Sequence, residues 1–444
     1  MQIITDFLSV LETQFSGTNL RYFVIIVDSV LSLSRPVTTL SVARMSSLSY
    51  RTIQRFYALK DINWLMVNLL LFKAFLYQAD KVYLLAADET VEKKAGKQSY
   101  GIGMFYSSIV QKAIRSISFL AISIIDVEAE KSYFLACHQI MPAINIKISK
   151  PTRPKEKPEN VKPKGRPKGS KNKPKTESTT HSYQTLKTLL ALAITQLRIF
   201  LPALRCCHLV VDGFYGHQDY LLLALHHKIN IISKFKTNAH LILPYDGVQS
   251  GKGRPKTKGN KLDLSKIDEH FFVETLNDTD SKVSTKVYQF SAYTPKIQCR
   301  LLNIVVLKHT HQITKKESRT ILFTNDLKLT ASQVIKYYSL RFQIEFDFRD
   351  AKQFYGLSDF KNYKQTQLTN AVNLSFTMTL LGKLILEKYK VKLNCSSMGI
   401  SDLKTIFKVQ KHAQTFFNYK KTDPDDFLNS PQFVTLARLE TIHI

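Results

Sequence analysis

Cysteine is too scarce in this sequence to build a structural framework. The 444 residues include five, at Cys137, Cys206, Cys207, Cys299 and Cys395. An odd number without paired spacing argues against a disulfide scaffold and against a zinc finger. Free cysteines fit a reducing compartment, so we expect a cytoplasmic protein.

Long hydrophobic runs are also missing. The most apolar stretch, residues 64–77, contains Asn68 and Lys73 and is shorter than the roughly 20 residues that cross a bilayer. The opening MQIITDFLSV lacks the basic start and the apolar centre of a secretory signal. The sequence therefore predicts a buried helix at 64–77 and no membrane partner.

Acidic residues are few compared with basic ones. Asp and Glu total 35 against 63 Lys and Arg, which gives a formal charge of +28 and a pI near 9.7. Such an excess attracts polyanions and favours DNA as the partner. A generally basic surface, or one that binds membrane surfaces, would produce the same charge.

Several common catalytic motifs are absent. The chain has no Gly-rich loop ending in Lys-Ser/Thr, no Gly-x-Ser-x-Gly elbow and no dinucleotide-binding fingerprint. The clusters Cys206-Cys207-His208 and His226-His227 consist of adjacent residues. This lacks the spacing of zinc ligands and is typical of ordinary core and surface positions.

The first 80 residues have helical spacing of apolar positions, and 39–59 resembles two short helices joined at Ser46-Ser47. If this is a helix-turn-helix, Ser49 caps the second helix, and DNA contacts come from Tyr50, Arg51, Gln54 and Arg55. An ordinary helical hairpin with an arginine-bearing solvent face fits the same pattern.

From residue 81 the pattern changes to strands. VYLLAA, AIRSISFLAISII and KSYFLACHQI are rich in branched residues and suggest neighbouring strands. After a helical stretch at 181–200, the run CCHLVVD, a helix at 219–227 and the run NIISKF alternate in the way that builds a parallel sheet.

A basic segment interrupts this region. Residues 150–175 hold 11 basic residues, six prolines and only two acids, which predicts a flexible loop. Its Gly165-Arg166-Pro167 core, repeated around Arg254, resembles the AT-hook that lays an arginine in a narrow minor groove. A solvated run of charge explains either copy equally well.

The remaining chain divides into strands and then helices. Between 236 and 327 the segments HFFVETL, KVSTKVYQFSAY, LLNIVVLKH and RTILFTN predict a β-rich insertion. Helical spacing returns at 332–355 and 367–389.

Two aspartates follow buried apolar runs. Asp88 comes directly after VYLLAA, and Asp212 comes after CCHLVV and before Gly213. Each is expected at the carboxyl end of a strand, where open sheets place their ligands. A simple turn or cap would explain either aspartate alone.

A third carboxylate belongs to a spaced set. Tyr338, Arg341, Glu345 and Lys352 occupy relative positions 0, 3, 7 and 14. At about 100° per residue, an unbroken helix keeps them within about 60° of one another. The spacing therefore predicts one helix face that carries all four.

This pattern, Tyr-x2-Arg-x3-Glu-x6-Lys, resembles the signature of a group of bacterial insertion-sequence DDE transposases. The segments DETVEKKAGKQSYGIGMFYSS and LVVDGFYG are similar to the regions of that group around the first and second aspartates, so the resemblance covers about residues 40–380. The basic insert is not part of the common core. Trp64, the single tryptophan, lies outside the β insertion, where some relatives hold a flipped base.

The resemblance implies an α/β fold, a ribonuclease-H-like mixed sheet with flanking helices. It divides the chain into a helical DNA-binding region at 1–80, the first part of the core at 81–235 with the basic insert at 147–182, the β-rich insertion at 236–327, and a helical region at 328–444 that completes the core. We expect the three carboxylates to cluster.

The resemblance also implies a chemistry. Asp88, Asp212 and Glu345 would hold two Mg²⁺ ions, for which Mn²⁺ can substitute, with Asp88 bridging both. Tyr338, Arg341 and Lys352 would bind DNA phosphates. The reaction would be cut-and-paste transposition by a homodimer on paired terminal repeats, in a nucleoid-associated cytoplasmic protein.

Two alternatives remain. A ribonuclease-H-like nuclease would cut nucleic acid without joining it to a target. An architectural or regulatory DNA-binding protein would use the N-terminal helices and the Gly-Arg-Pro arms without any reaction. The second has no need for three carboxylates, which repel phosphates unless cations neutralise them.

Overall fold

The computed structural model describes residues 2–34, 36–107, 110–142, 181–249, 251, 253–278, 282–418, 426 and 430–431. The chain begins with the helices α1 (Gln2–Leu8), α2 (Gly17–Ser32), α3 (Thr39–Met45), α4 (Tyr50–Tyr57) and α5 (Trp64–Phe75). The side chains of Thr38, Ser49 and Asn63 accept hydrogen bonds from backbone amides in the first turns of α3, α4 and α5. These caps set where the helices start, as we expected for Ser49.

A mixed sheet follows the helices. Its first strands are β1 (Val82–Lys93), β2 (Gly103–Ser107), β3 (Lys112–Asp126) and β4 (Lys131–Ile140). The chain continues through α6 (His181–Phe200), β5 (Arg205–Val211), α7 (Gln218–His226) and β6 (Asn230–Phe235). β3 pairs antiparallel with β1 and β4, whereas β5 pairs parallel with β1 and β6. The order β4-β3-β1-β5-β6 is consistent with the expected ribonuclease-H-like core.

Further strands extend the same sheet. They are β7 (Ile242–Pro244), β8 (Lys258–Lys261), β9 (Phe272–Asp278), β10 (Val283–Thr294), β11 (Ile297–His311) and β12 (Glu317–Thr324). β12 pairs antiparallel with β6 and joins both groups into one twelve-stranded sheet. The four strand-like segments that we identified in this region correspond to β9 through β12.

The last described helices are α8 (Ala331–Leu340), α9 (Gln343–Phe354), α10 (Gln365–Leu393) and α11 (Ile400–Asn418). We expected one helix over 332–355, and this was wrong. The amides of Arg341, Phe342, Ile344 and Glu345 bond to carbonyls three residues back, which is the tighter 3₁₀ pattern. The signature residues therefore lie on two helices and the turn between them.

The long helix α10 unites the N-terminal helices with the sheet. It packs on β4, α9, α4 and α5. Trp64 is 5% exposed, and its indole Nε1 donates to Asn370 Oδ1 of α10 at 2.9 Å. The single tryptophan is therefore a core residue. Within the described residues, none of the helices combines the length and hydrophobicity of a membrane span.

Candidate active site

The pairing of β1 with β5 brings two aspartates together. In this parallel pair Ala87 lies opposite Val211, so Asp88 and Asp212 come next on neighbouring strands. β5 ends at Val211, but β1 continues to Lys93 because β3 still pairs with it. Our expectation that Asp88 ends its strand was therefore wrong, although it does lie where the parallel neighbour stops.

A glycine lets the chain leave β5 close to β6. A Cβ atom on Gly213 would lie 3.0 Å from the carbonyl oxygen of Lys234, too close for a side chain to fit without a shift. The Lys234 ammonium binds Asp212 Oδ1 at 3.2 Å. Gly213 thus allows β6 to place a cation beside Asp212.

Arg341 connects the first aspartate to the glutamate. Its Nη1 donates to Asp88 Oδ2 at 3.0 Å, and its Nη2 donates to Glu345 Oε1 at 2.7 Å. The Arg341 side chain is 6% exposed, and its guanidinium lies over the Phe342 ring. The Nε atom is buried without a hydrogen-bond partner among the described residues. One fixed guanidinium therefore faces two carboxylates from different parts of the chain.

Burial and mutual repulsion set the charge state of the aspartates. Burial raises the pKa of Asp88 to about 6, against attraction from Arg341, and the charges of Glu345 and Asp212 raise it further. Burial also acts to raise the pKa of Asp212, but hydrogen bonds from the Gly213 amide and Lys234 outweigh burial and lower it. The two neighbouring aspartates are thus shifted in opposite directions.

Tyr338 reaches the same site from α8. Burial raises the pKa of its hydroxyl. The positive charges of Lys234 and Arg341 lower this pKa, and the negative charge of Asp212 raises it. Tyr338, Arg341 and Glu345 are therefore brought together with both aspartates, despite the break between α8 and α9.

Lys352 is placed farther along β1. Its Nζ lies 2.8 Å from Glu92 Oε1, and the other oxygen of this buried carboxylate accepts from Ser358 at 2.9 Å. Asp88 and Glu92 are four strand residues apart, or about 13 Å. In this structure Lys352 therefore pairs with Glu92 and not with Asp88.

The other expected DNA contacts lie on other elements of the chain. Arg51 and Arg55 are exposed on α4, and Arg254 is exposed before β8. Arg166 and the basic insert fall outside the described residues.

The donor set at this site fits a hard cation in its chemistry. The three acids offer only carboxylate oxygens, which Mg²⁺ prefers, and Asp88 and Glu345 already share one cationic group. In the described part of the chain, no three Asp, Glu, His or Cys side chains converge closely enough to ligate one ion. Metal binding would therefore require the Arg341 contacts to loosen.

A comparison with known families identifies the chain. The family of DDE superfamily endonucleases matches residues 13–292, more than half of the sequence. The protein belongs to this family. Members are nuclease-type enzymes that typically use divalent metal ions. No curated protein matches the chain.

The matched residues of this DDE endonuclease include part of the site. Asp88 and Asp212 lie inside the match, whereas Glu345 and the other signature residues follow it. Family membership therefore supports an endonuclease. The insertion-sequence group that the signature suggests is a finer assignment.

Two charged residues near the site were not identified from the sequence. Lys234 stands in the strand run NIISKF, and Glu92 is a buried acid four residues after Asp88. A charged residue inside an otherwise apolar strand was the available signal, since such residues are rarely buried without a partner. Their partners come from other elements and are not readable from spacing.

Replacing Asp88 with Asn is expected to stabilise the metal-free endonuclease near neutral pH. The folded pKa of about 6 lies above the ordinary value of 3.8, so the folded state loses stability as pH rises through this interval. Asn removes that cost, up to about 3 kcal/mol, and can still accept from Arg341. Urea unfolding in EDTA measures the gain, which should vanish near about pH 4.

The matched control is Asp212→Asn. Because the pKa of Asp212 is lowered, its charged form is stabilised by the fold, and neutralisation should give no gain. Equal stabilisation by both variants would contradict the opposite environments of the two aspartates.

Proposed function

We propose that this endonuclease is an insertion-sequence transposase that cleaves element ends and joins the freed 3′-hydroxyls to target DNA. The observation that carries the proposal is the placement of Asp88 beside Asp212 on neighbouring strands and its link to Glu345 through Arg341. Three acids drawn from distant segments beside a strongly basic chain suit phosphodiester chemistry. A protein that only binds DNA would gain nothing from that arrangement.

Asp88, Asp212 and Glu345 would hold the divalent ions, Mg²⁺ or Mn²⁺. When bound, such ions lower the pKa of water and offset charge on the scissile phosphate. The carboxylates themselves would fix the position of the reacting phosphate relative to the sheet edge. The buried environment that raises the pKa of Asp88 is one that strengthens electrostatic interactions.

The cationic residues would align the DNA backbone. Arg341, once released from the carboxylates, would donate to a phosphate oxygen, and Tyr338 and Lys234 lie beside Asp212. Lys352 pairs with Glu92, which is about 13 Å along β1 from Asp88, and would contact a phosphate farther along the backbone. We infer that the site follows the backbone over more than one nucleotide.

The rest of the chain would recognise the element ends. We assign end binding to the region 1–80, where Arg51 and Arg55 are exposed on α4, and additional contact to Arg254. The β-rich region at 236–327 would extend the DNA-binding surface of the core. Paired ends must be cut together, so we expect a homodimer on DNA.

The decisive experiment measures cleavage and joining on DNA that carries the element's own ends. Wild-type protein with Mg²⁺ should yield both cut ends and joined products, and EDTA should remove both. Cutting without joining would identify a nuclease of the same fold. Binding without any reaction would overturn the enzymatic proposal.

DNA binding should weaken steeply with salt. A chain with a formal charge of +28 releases counterions through many phosphate contacts, so affinity should fall roughly a thousandfold over an about fourfold rise in salt. Fluorescence anisotropy with a labelled end fragment gives the slope. A nearly flat response would contradict a large electrostatic footprint.

A further inference from the structure

The helix that carries Glu345 starts without a side-chain cap. Phe342 occupies the N-cap position of α9 and makes no capping hydrogen bond. The amides of Ile344 and Glu345 bond only to carbonyls three residues back, a weaker geometry than the α-helical bond. The first turn of α9 therefore depends on other contacts to fix the direction of Glu345.

A buried ion pair supplies such contacts. Asp347 is fully buried and lies two residues after Glu345, about 200° around the helix and so facing the sheet. Its Oδ1 binds Lys383 Nζ of α10 at 2.5 Å. Its Oδ2 accepts from Ser123 of β3 at 3.1 Å and from Ser132 of β4 at 2.8 Å.

Lys383 and Ser132 make further hydrogen bonds within the same network. Lys383 Nζ donates to the carbonyl oxygen of Ser132 at 2.7 Å, and the Ser132 hydroxyl also lies 2.8 Å from the carbonyl oxygen of Gln343, the first residue of α9. Two strands and two helices are thus tied together at one point. That point lies on the face of α9 opposite to Glu345.

We propose that Asp347, with Lys383, is a positioning residue that sets Glu345 against Asp88 for divalent-cation binding. This inference rests on the proposed function of the three acids. Rotation or translation of α9 would carry Glu345 away from Asp88, and small displacements of a ligand are costly. Asp347 itself touches none of the reacting groups.

The test compares two buried Asp–Lys pairs that each join two helices. Asp347→Asn neutralises the first pair. Asp28→Asn neutralises the second, in which Lys411 of α11 binds Asp28 of α2 at 2.8 Å and which contacts none of the three acids. Both lysines are 22% exposed, so the two variants lose ion pairs of similar exposure, and Asp347→Asn also alters the two serine contacts.

The measurements are Mn²⁺ affinity by titration calorimetry without DNA, and the Mn²⁺ concentration for half-maximal cleavage. Asp347→Asn is expected to raise the Mn²⁺ dissociation constant and the half-maximal Mn²⁺ concentration roughly tenfold, with cleavage partly recovered at high Mn²⁺. Asp28→Asn should leave both near the wild-type values. Wild-type values for Asp347→Asn, or an equal change in Asp28→Asn, would overturn the inference and leave the proposed function intact.

If Asp347→Asn does not fold, Ser123→Ala removes one contact to Asp347 and should raise the Mn²⁺ requirement roughly threefold, a smaller effect on the same scale; no change would overturn the inference. If the wild type shows no metal-dependent cleavage and no Mn²⁺ binding, the proposed function fails first, and this inference fails with it.

Discussion

Glu345→Gln is expected to abolish metal-dependent cleavage while DNA affinity stays close to that of the wild type. The substitution removes one of three carboxylates, and we expect the rate to fall roughly a thousandfold or more. The fold should survive because Gln can still accept from Arg341, which now binds Glu345 at 2.7 Å. The basic surfaces are unchanged, so end binding should persist.

The matched control for this variant is Glu387→Gln. Glu387 is an exposed acid on α10 that pairs with Lys131 at 3.0 Å, and it belongs to the surface rather than to the site. It should cleave at the wild-type rate. Cleavage by Glu345→Gln at a comparable rate in Mg²⁺ would remove Glu345 from the proposed site.

Arg341→Met is expected to destabilise the metal-free protein and to make its stability depend on Mg²⁺. The 6% exposed guanidinium is the shared cation of Asp88 and Glu345, and its loss leaves like charges facing each other. Breaking a buried pair costs about 3 kcal/mol or more, but Glu345 is partly exposed, so we expect about 2 kcal/mol. Added Mg²⁺ should restore part of this by replacing the lost charge.

Urea unfolding with EDTA and with excess Mg²⁺ measures both effects. Arg341→Lys is the informative control because it keeps the positive charge but lacks the two nitrogens that donate to Asp88 and to Glu345. Its loss of stability should be smaller than that of Arg341→Met. If Arg341→Met is as stable as the wild type in EDTA, Arg341 is not the counter-ion that holds the acids together.

Much of the secondary structure was readable from the sequence. The runs VYLLAA and NIISKF lie in β1 and β6, and the helix over 181–200 corresponds to α6, because branched apolar runs and helical spacing report local preferences. The break between α8 and α9 was not readable. The segment around Arg341 and Phe342 contains no Gly or Pro that would mark a turn. Tertiary packing therefore overrides the local helical preference here.

The residues of the candidate site also fall into two groups, those that the sequence identified and those that only the structure revealed. Asp88, Asp212 and Glu345 could be selected because each follows or belongs to a recognisable pattern. Lys234, Glu92 and Asp347 could not, since each is significant only through a partner on another element. A lone charged residue in a strand or helix has several possible explanations until its neighbours are known.

The sequence alone determined the chemistry that this chain can offer: a strong positive charge, carboxylates next to apolar runs, and the Tyr, Arg, Glu and Lys at fixed intervals. Those properties depend on residue type and on short-range periodicity. Tertiary structure alone decided which of these groups meet. The register of β1 against β5 places Asp88 next to Asp212, and a buried arginine joins Asp88 to a glutamate 257 residues later in the chain. Contacts at that separation follow from strand pairing and burial, which no local pattern encodes.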